Sequence, residues 1–397
     1  MNIKLGISLC ILVITNITGK TLEKISLIPF TQKYDAATFF DTKDESPFFV
    51  CRPIFDQVQK KLNTIGYNLS IDHDIHVLDD STIICSFDIH HTHYKINGKN
   101  IEALSRYPQK KILFLWEAEV VLHWNFSRAL HSYFDKVYTW KDEIIDGAKY
   151  HKFYWPQPLL HMIDDVKHFD DKNFCVLIAG CKKSSHPQEL YTERKKIIEF
   201  FNSHPDADFH FFGGGSNTQW QWDTTQYPHY KGPVPELFTA QDIYSYPITP
   251  GHLNKLMCLK EYKFCICYEN STENGWITEK IFDCFISGCV PVYLGASNIS
   301  DLIPKECFID RRNFKNDQEL YSFLKSLSQQ EYQEYITAIK NYLASDQVLL
   351  FSKEYFLYTY IKALELHNYY PLLFNQEEQS IILKAKKWDR YIFPESQ

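Results

Sequence analysis

The chain has 397 residues, 45% hydrophobic and 23% charged, the make-up of a packed globular protein with room for two domains; it excludes a disordered one. A net charge of −7 argues against a broad nucleic-acid surface and leaves room for a local basic pocket. The 11 cysteines include no CxxC pair and no Cys/His set at zinc spacing, so most are expected to be buried free thiols and no metal site is expected.

Residues 1–19 open with Lys4 and then run apolar from Leu5 to Ile17. That is too short for an ordinary membrane span and suits a signal-peptide core or a short signal anchor. Secretory-pathway or cell-envelope location follows as an expectation, with membrane association through the N-terminus. The Asn-x-Ser sequons at Asn68 and Asn125 decide nothing by themselves. Residues 20–165 read as a first Rossmann-like domain. Strands are expected at Ile25–Ile28, Asp74–Leu78, Thr82–Phe87 and Lys110–Trp116, with another at or near Tyr133–Trp140. A helix is expected over Pro53–Ile65, where Ile54, Val58, Leu62 and Ile65 recur at helical spacing. His90, His91 and His93 cluster, but His-rich loops are common and this one carries little weight as a metal site.

Glu117 directly follows the apolar run Leu113-Phe-Leu-Trp. It therefore projects into the crevice at the C-terminal end of a parallel sheet. A carboxylate beside aromatic walls gains proton affinity, which suits it to take a proton from a hydroxyl. Glu119, two residues on, is the alternative; a strand-end carboxylate without chemistry is the bland one.

Pro156 and Pro158, followed by the polar run Asp164–Asp171, mark a linker. A second Rossmann-like domain, residues 172–345, starts with a buried strand over Phe174–Gly180. A helix over Leu190–His204 and a strand over Asp208–Phe212 follow, and the strand ends in three glycines, 213–215. Those glycines, Gly214 among them, would let backbone approach a ligand, although a flexible turn explains them equally well and no GxGxxG fingerprint is present. Residues 216–250, rich in Trp, Tyr and Gln, read either as a loop over the cleft or as packed irregular chain.

Residues 261–310 carry the most information. A strand is expected at Phe264–Tyr268, a polar turn at Glu269–Gly275, a helix at Thr278–Ser287 closed by Gly288, and a strand at Val290–Leu294. This is a βαβ unit and calls for a parallel sheet. Asn270, Ser271, Thr278, Glu279 and Lys280 fall at the strand's C-terminal end or the helix N-terminus, where such sheets bind ligands. Free N–H groups and Lys280 suit a diphosphate, and Glu279 can accept hydroxyl hydrogen bonds; a nucleotide sugar presents both groups. A short strand at Cys307–Asp310 and helices at Gln318–Leu327, Glu331–Leu343 and Tyr355–His367 complete the chain. Residues 346–397 are expected to form C-terminal helices that pack back on the first domain.

The run Glu269-Asn270-Ser271, then Ile277-Thr-Glu-Lys-Ile-Phe282 and Gly288-Cys-Val-Pro-Val-Tyr-Leu-Gly295, resembles the donor motif of glycosyltransferase family 10, the α-1,3/1,4-fucosyltransferases. Tyr133–Trp140 and the run from Tyr191 to Arg194 extend the likeness. It implies an α/β protein of GT-B type, two Rossmann-like domains facing a central cleft. It implies inverting transfer of fucose from GDP-fucose to a hydroxyl of a glycan acceptor, with no metal or other cofactor required. Glu117 and Glu279 would form the catalytic pair, with Glu117 the base. Asn270, Ser271, Trp276, Thr278, Glu279 and Lys280 would surround the donor, with Trp276 walling its pocket. One departure stands out. Some members of the family carry an Arg just after the glycines that contacts the diphosphate, where this chain has Asn217-Thr218-Gln219. Lys231, Lys255 and Lys263 are candidate substitutes and Lys255 is preferred, although Lys is not equivalent to Arg at a bidentate site. A GT-B transferase for another nucleotide sugar and a degenerate glycan-binding relative are the alternatives. Retaining enzymes of that fold usually carry paired Glu residues in the donor motif; the Ser at position 271 argues against them.

Overall fold

Two parallel β-sheets, one from each half of the chain, organise the protein in a computed structural model. It describes residues 22–28, 52–72, 78, 80–89, 101–164, 167–180, 182–213, 231 and 250–392. The first sheet contains β1 (Glu23–Ile28), β2 (Tyr67–Ile71), β3 (Ser81–Phe87), β4 (Lys110–Leu115), β5 (Lys136–Thr139) and β6 (Tyr150–Lys152), in the order β2-β1-β3-β4-β5-β6. The second contains β7 (Asn173–Ile178), β8 (Phe209–Phe212), β9 (Tyr262–Tyr268), β10 (Val290–Leu294) and β11 (Ile309–Asp310), in the order β11-β10-β9-β7-β8. Central strands such as β4 and β9 are near-continuous apolar runs because helices or loops cover both faces.

Helix α1 (Arg52–Thr64) connects β1 to β2, α2 (Tyr191–Asn202) connects β7 to β8, and α3 (Pro250–Lys260) leads into β9. Helix α4 (Glu279–Ile286) connects β9 to β10. Thr278 caps its start and Gly288, at φ +61°, follows its end, so the expected cap and stop both fall in place. Helix α5 (Asp317–Ser326) precedes α6 (Gln329–Leu343), which opens with a Ser328/Glu331 capping box.

The chain then returns to the first sheet. Phe356 and Tyr360 of helix α7 (Lys353–Ala363) pack on Phe114 of β4, with ring centroids 6.2 and 5.4 Å away. Lys61 of α1 pairs with Glu378 of the final helix α8 (Gln376–Ile392) at 2.8 Å. The hydroxyls of Tyr154 and Tyr355 both donate to Asp389, at 2.7 and 2.6 Å.

In each sheet the strand order reverses beside the first strand of its half: β1 lies between β2 and β3, and β7 between β8 and β9. The crevice at such a point receives the chain that leaves β3 in one sheet and the loops that follow β7 and β9 in the other, and β4 lies beside β3.

Three elements differ from expectation. The second strand of the first sheet is Tyr67–Ile71, where Tyr67, Leu69 and Ile71 alternate; the expected Asp74–Leu78 falls mostly on residues 73–77, outside the described residues. Strand β6 is three residues long, too short to carry a period. Helix α3 was not anticipated; it follows the aromatic-rich stretch. Residues 1–21, His90, His91, His93 and Gly214 lie outside the described residues. Among the described residues no helix is long and apolar enough to cross a membrane, and no group of three His, Cys, Asp or Glu side chains is placed to hold a metal ion.

Candidate active site

The loop after β9 is built around a buried carboxylate. Glu269, fully enclosed, accepts from the backbone N–H of Thr278 at 2.9 Å and from the Thr278 hydroxyl at 2.9 and 3.0 Å. It also pairs with Lys280 Nζ at 3.0 Å. The same threonine hydroxyl accepts from Lys280 Nζ at 3.0 Å. The start of α4 is thus clamped to the end of β9, with Lys280 folded over the clamp and 3.6 Å from Glu279. Burial works against the Lys280 charge, but Glu269 and Glu279 outweigh it and hold its pKa above the usual lysine value. Glu279 shows the converse balance. Burial raises its proton affinity, Lys280 and Lys255 lower it by more, and the result lies below the ordinary carboxylate range. At neutral pH the α4 N-terminus therefore presents an ammonium and a carboxylate side by side.

Lys255, the expected substitute for the absent arginine, is engaged elsewhere. Its Nζ lies 2.6 Å from Asp283, a fully buried residue that also takes the His252 Nε2 contact at 2.6 Å. Burial raises the Asp283 carboxyl, and Lys255 and His252 outweigh that effect and hold it at about 2. Lys263, a second candidate, lies over the Phe169 ring at 3.7 Å. Lys231 is exposed, and its backbone N–H donates to Phe211.

Arg194 of α2 is a cation the sequence reading did not assign. It is 6% exposed and reaches under the loop. Its guanidinium donates to the Tyr268 carbonyl at 2.6 and 3.2 Å and to Asn270 Oδ1 at 3.0 Å. Asn270 is thereby oriented from below. The Tyr-x-Glu-Arg run was the available signal.

Ser271 and Trp276 are placed differently from the expectation that they surround a donor. Ser271 is fully buried and donates to Glu273 Oε2 at 2.9 Å. Glu273, itself 1% exposed, accepts from Lys141 of the first domain at 2.6 Å. Trp276, 1% exposed, is wedged between Trp140 and Trp155 of the first domain, with ring centroids 4.6 and 5.3 Å away. Asn298 Nδ2 donates across the same junction to Asp142 at 2.7 Å. Both residues therefore belong to a latch between the halves, because the loop that offers polar groups to the cleft at one end is pressed on the first domain at the other.

Glu117 follows β4 and is half-buried. Burial is the largest cause that raises its proton affinity. Lys182 and Lys280 oppose it, and Glu279 and Glu269 reinforce it, leaving the carboxyl above its ordinary value. The first-domain carboxylate is thus within electrostatic reach of the α4 N-terminus of the second domain. Glu119 has another environment: it lies 3.6 Å from Lys141 and 3.8 Å from His186, at the latch. The arrangement can bind an anion at the α4 N-terminus and remove a proton from a group held between the domains.

Residues 245–364 match the family model described as glycosyltransferase family 10 (fucosyltransferase) C-term. The chain is 41% identical over 69 residues to an α-(1,4)-fucosyltransferase of Arabidopsis thaliana, a segment that is 17% of each protein. It is 35% identical over 74 residues to the α-(1,3)-fucosyltransferase FucT of Helicobacter pylori, 19% of this chain and 16% of that protein. The matched stretch is thus under a fifth of the length of either relative. The structure of Anabaena Alr3699/HepE in complex with UDP-glucose superposes with a TM-score of 0.52 at 10% identity, covering 86% of this chain and 99% of that one. A crystal structure of an α1,3-fucosyltransferase gives a TM-score of 0.49 at 14% identity over 88% of this chain and 92% of that one. The architecture is of GT-B type, two parallel-sheet domains facing a cleft.

Proposed function

We propose, from a chain whose residues 245–364 match the C-terminal domain of glycosyltransferase family 10, that this protein transfers fucose from GDP-fucose to a hydroxyl of a glycan, with inversion at the anomeric carbon. The observation that carries the reading is Glu117, on the first domain, within electrostatic reach of Lys280, Glu279 and Glu269 on the second. The fucosyl group itself comes from the relatives' activities and the donor motif.

In this reading the Glu117 carboxylate takes the proton of the acceptor hydroxyl as its oxygen attacks the anomeric carbon. The bond from that carbon to the diphosphate oxygen breaks, and GDP leaves with the electron pair. Lys280 and the N–H groups at the start of α4 stabilise the charge that develops on the diphosphate. Asn270, oriented by Arg194, and the ionised Glu279 receive sugar or ribose hydroxyls. Lys255 acts indirectly, helping to keep Glu279 charged. Thr278 shapes the helix start, and Ser271 and Trp276 serve the latch. Residues 20–165 form the acceptor half, 172–345 the donor half, and 346–397 the return to the first domain. Residues 1–19 would direct the protein to the secretory pathway or cell envelope.

The test is thermal-shift binding of the protein with GDP, GDP-fucose, GDP-mannose and UDP-galactose at equal concentration, because a ligand of the folded state raises its midpoint, and a tighter ligand raises it more. GDP and GDP-fucose are expected to raise it. A shift with the uridine nucleotide alone would redirect the reading to another nucleotide sugar, and no shift with any of the four would overturn it.

A further inference from the structure

At the end of β3 the backbone of Asp88 turns left-handed, at φ +60°. Gly, Asn and Asp tolerate that conformation; most residues do not. The side chain is 1% exposed and crosses to the end of β4. Oδ1 accepts from the N–H of Trp116 at 2.5 Å, the N–H of Glu117 at 3.1 Å and Nδ2 of Asn125 at 2.6 Å; Oδ2 lies 3.3 Å from the same Glu117 nitrogen. Asn125 completes the frame. Its Nδ2 also donates to the Glu117 carbonyl at 3.1 Å, and its Oδ1 accepts from Ile89 at 2.7 Å. Its own carbonyl accepts from His131 Nε2 at 2.5 Å, so His131 Nδ1 is left to accept from the Tyr150 hydroxyl at 3.1 Å. Burial lowers the proton affinity of that histidine to about 4, consistent with the neutral ring this pattern requires.

The sheet does not hold residue 117. The β4–β5 pairing ends at Leu115 and Thr139, and the β3–β4 pairing at Phe87 and Phe114. Beyond those rungs the amide and carbonyl of Glu117 are held by Asp88 and Asn125. We propose that Asp88 is a positioning residue for Glu117: it fixes the direction in which residue 117 leaves β4 and so aims its carboxylate into the cleft. The proposal rests on Glu117 being the base. Burial and the Glu117 charge push the Asp88 carboxyl up to about 8, while the donors Trp116, Glu117 and Asn125 favour its charged form. Asn keeps an oxygen that can accept from these donors and removes the charge.

The test uses the full-length protein with Asp88→Gly, Asp88→Asn and Glu117→Gln. Glycine suits the left-handed backbone and deletes the side chain; asparagine keeps both the backbone preference and the accepting oxygen. Asp88→Gly is expected to lower kcat roughly 100-fold, the scale of a 1 Å misplacement, with KM for GDP-fucose within about twofold of wild type. Asp88→Asn is expected to recover most of kcat. Amide exchange at Trp116 and Glu117 is expected to speed up in the glycine variant alone. A wild-type kcat in Asp88→Gly, an equal loss in both variants, or unchanged exchange at these amides overturns the proposal. Absence of fucosyl transfer by the wild type, or full activity of Glu117→Gln, would instead sink the functional reading, and amide exchange would still decide whether Asp88 holds residue 117.

Discussion

Gly275 approaches Trp140 so closely that a Cβ on it would lie 2.1 Å from the Trp140 carbonyl oxygen. The contact joins the two domains, and Gly275 also sits at φ +79°. A side chain here meets backbone on one side and a left-handed conformation on the other. Gly275→Ala is therefore expected to destabilise the protein by about 3 kcal/mol, through both overpacking and strain. A denaturant titration showing no more than a few tenths of that loss would mean the domains can separate without cost.

Lys280 has two functions that can be separated. It covers the buried Glu269 carboxylate, and in the proposed mechanism it faces a diphosphate. Lys280→Ala leaves that carboxylate without its ammonium partner, a change of about 3 kcal/mol in stability. Adding Glu269→Gln removes the stranded charge. The double variant should recover most of the stability and none of the GDP-induced thermal shift; recovery of both would remove Lys280 from the donor site.

The pH dependence of transfer follows from two opposite shifts. Glu117 must be ionised to act as a base, and burial raises its pKa above the ordinary carboxylate range. Activity should therefore be lost as pH falls through that raised value. Glu279, held below the ordinary range, stays ionised throughout and adds no second step there. A profile of kcat/KM should show one protonation on the acid side, at a pH higher than an exposed carboxylate would give. Glu117→Gln should abolish transfer at every pH while leaving the GDP shift in place.

Acid stability should depend on Asp283. Its folded pKa of about 2 lies below the unfolded value of about 3.9, so it contributes stability that is complete above the unfolded value and lost as pH falls toward the folded one. The two values imply about 2.6 kcal/mol. Denaturant midpoints measured from pH 5 to pH 2 should fall more steeply for the wild type than for Asp283→Asn.

The donor half was legible because its signals are local. The run Val290–Leu294 reads as a strand from five residues, and Thr278 and Gly288 bracket α4 by cap chemistry alone. The latch was not legible. Glu273 and Lys141 lie 132 positions apart, and each resembles a solvated loop charge until the domains meet. Trp276 reads as a wall of the donor pocket. It is buried because the neighbouring glycine lets the chain press on Trp140. Glu269 stood in the quoted motif, but only its complete burial shows that Thr278 and Lys280 are arranged around it. The tie from Asp88 to Trp116 spans 28 positions and depends on a backbone conformation that no residue pattern announces.

The eight cysteines among the described residues are all unpaired and buried, and Cys265, Cys267 and Cys289 lie in contact with Cys284. Burial pushes the Cys284 thiol well above its usual value, so in the native protein Cys284 offers almost no thiolate to an oxidant. The unfolded chain has no such shelter. Its thiols ionise normally, meet one another, and can lock in pairings that the packed core cannot accommodate. Refolding therefore becomes a race against air: denatured protein should regain its native state in the presence of a reductant and fail without one.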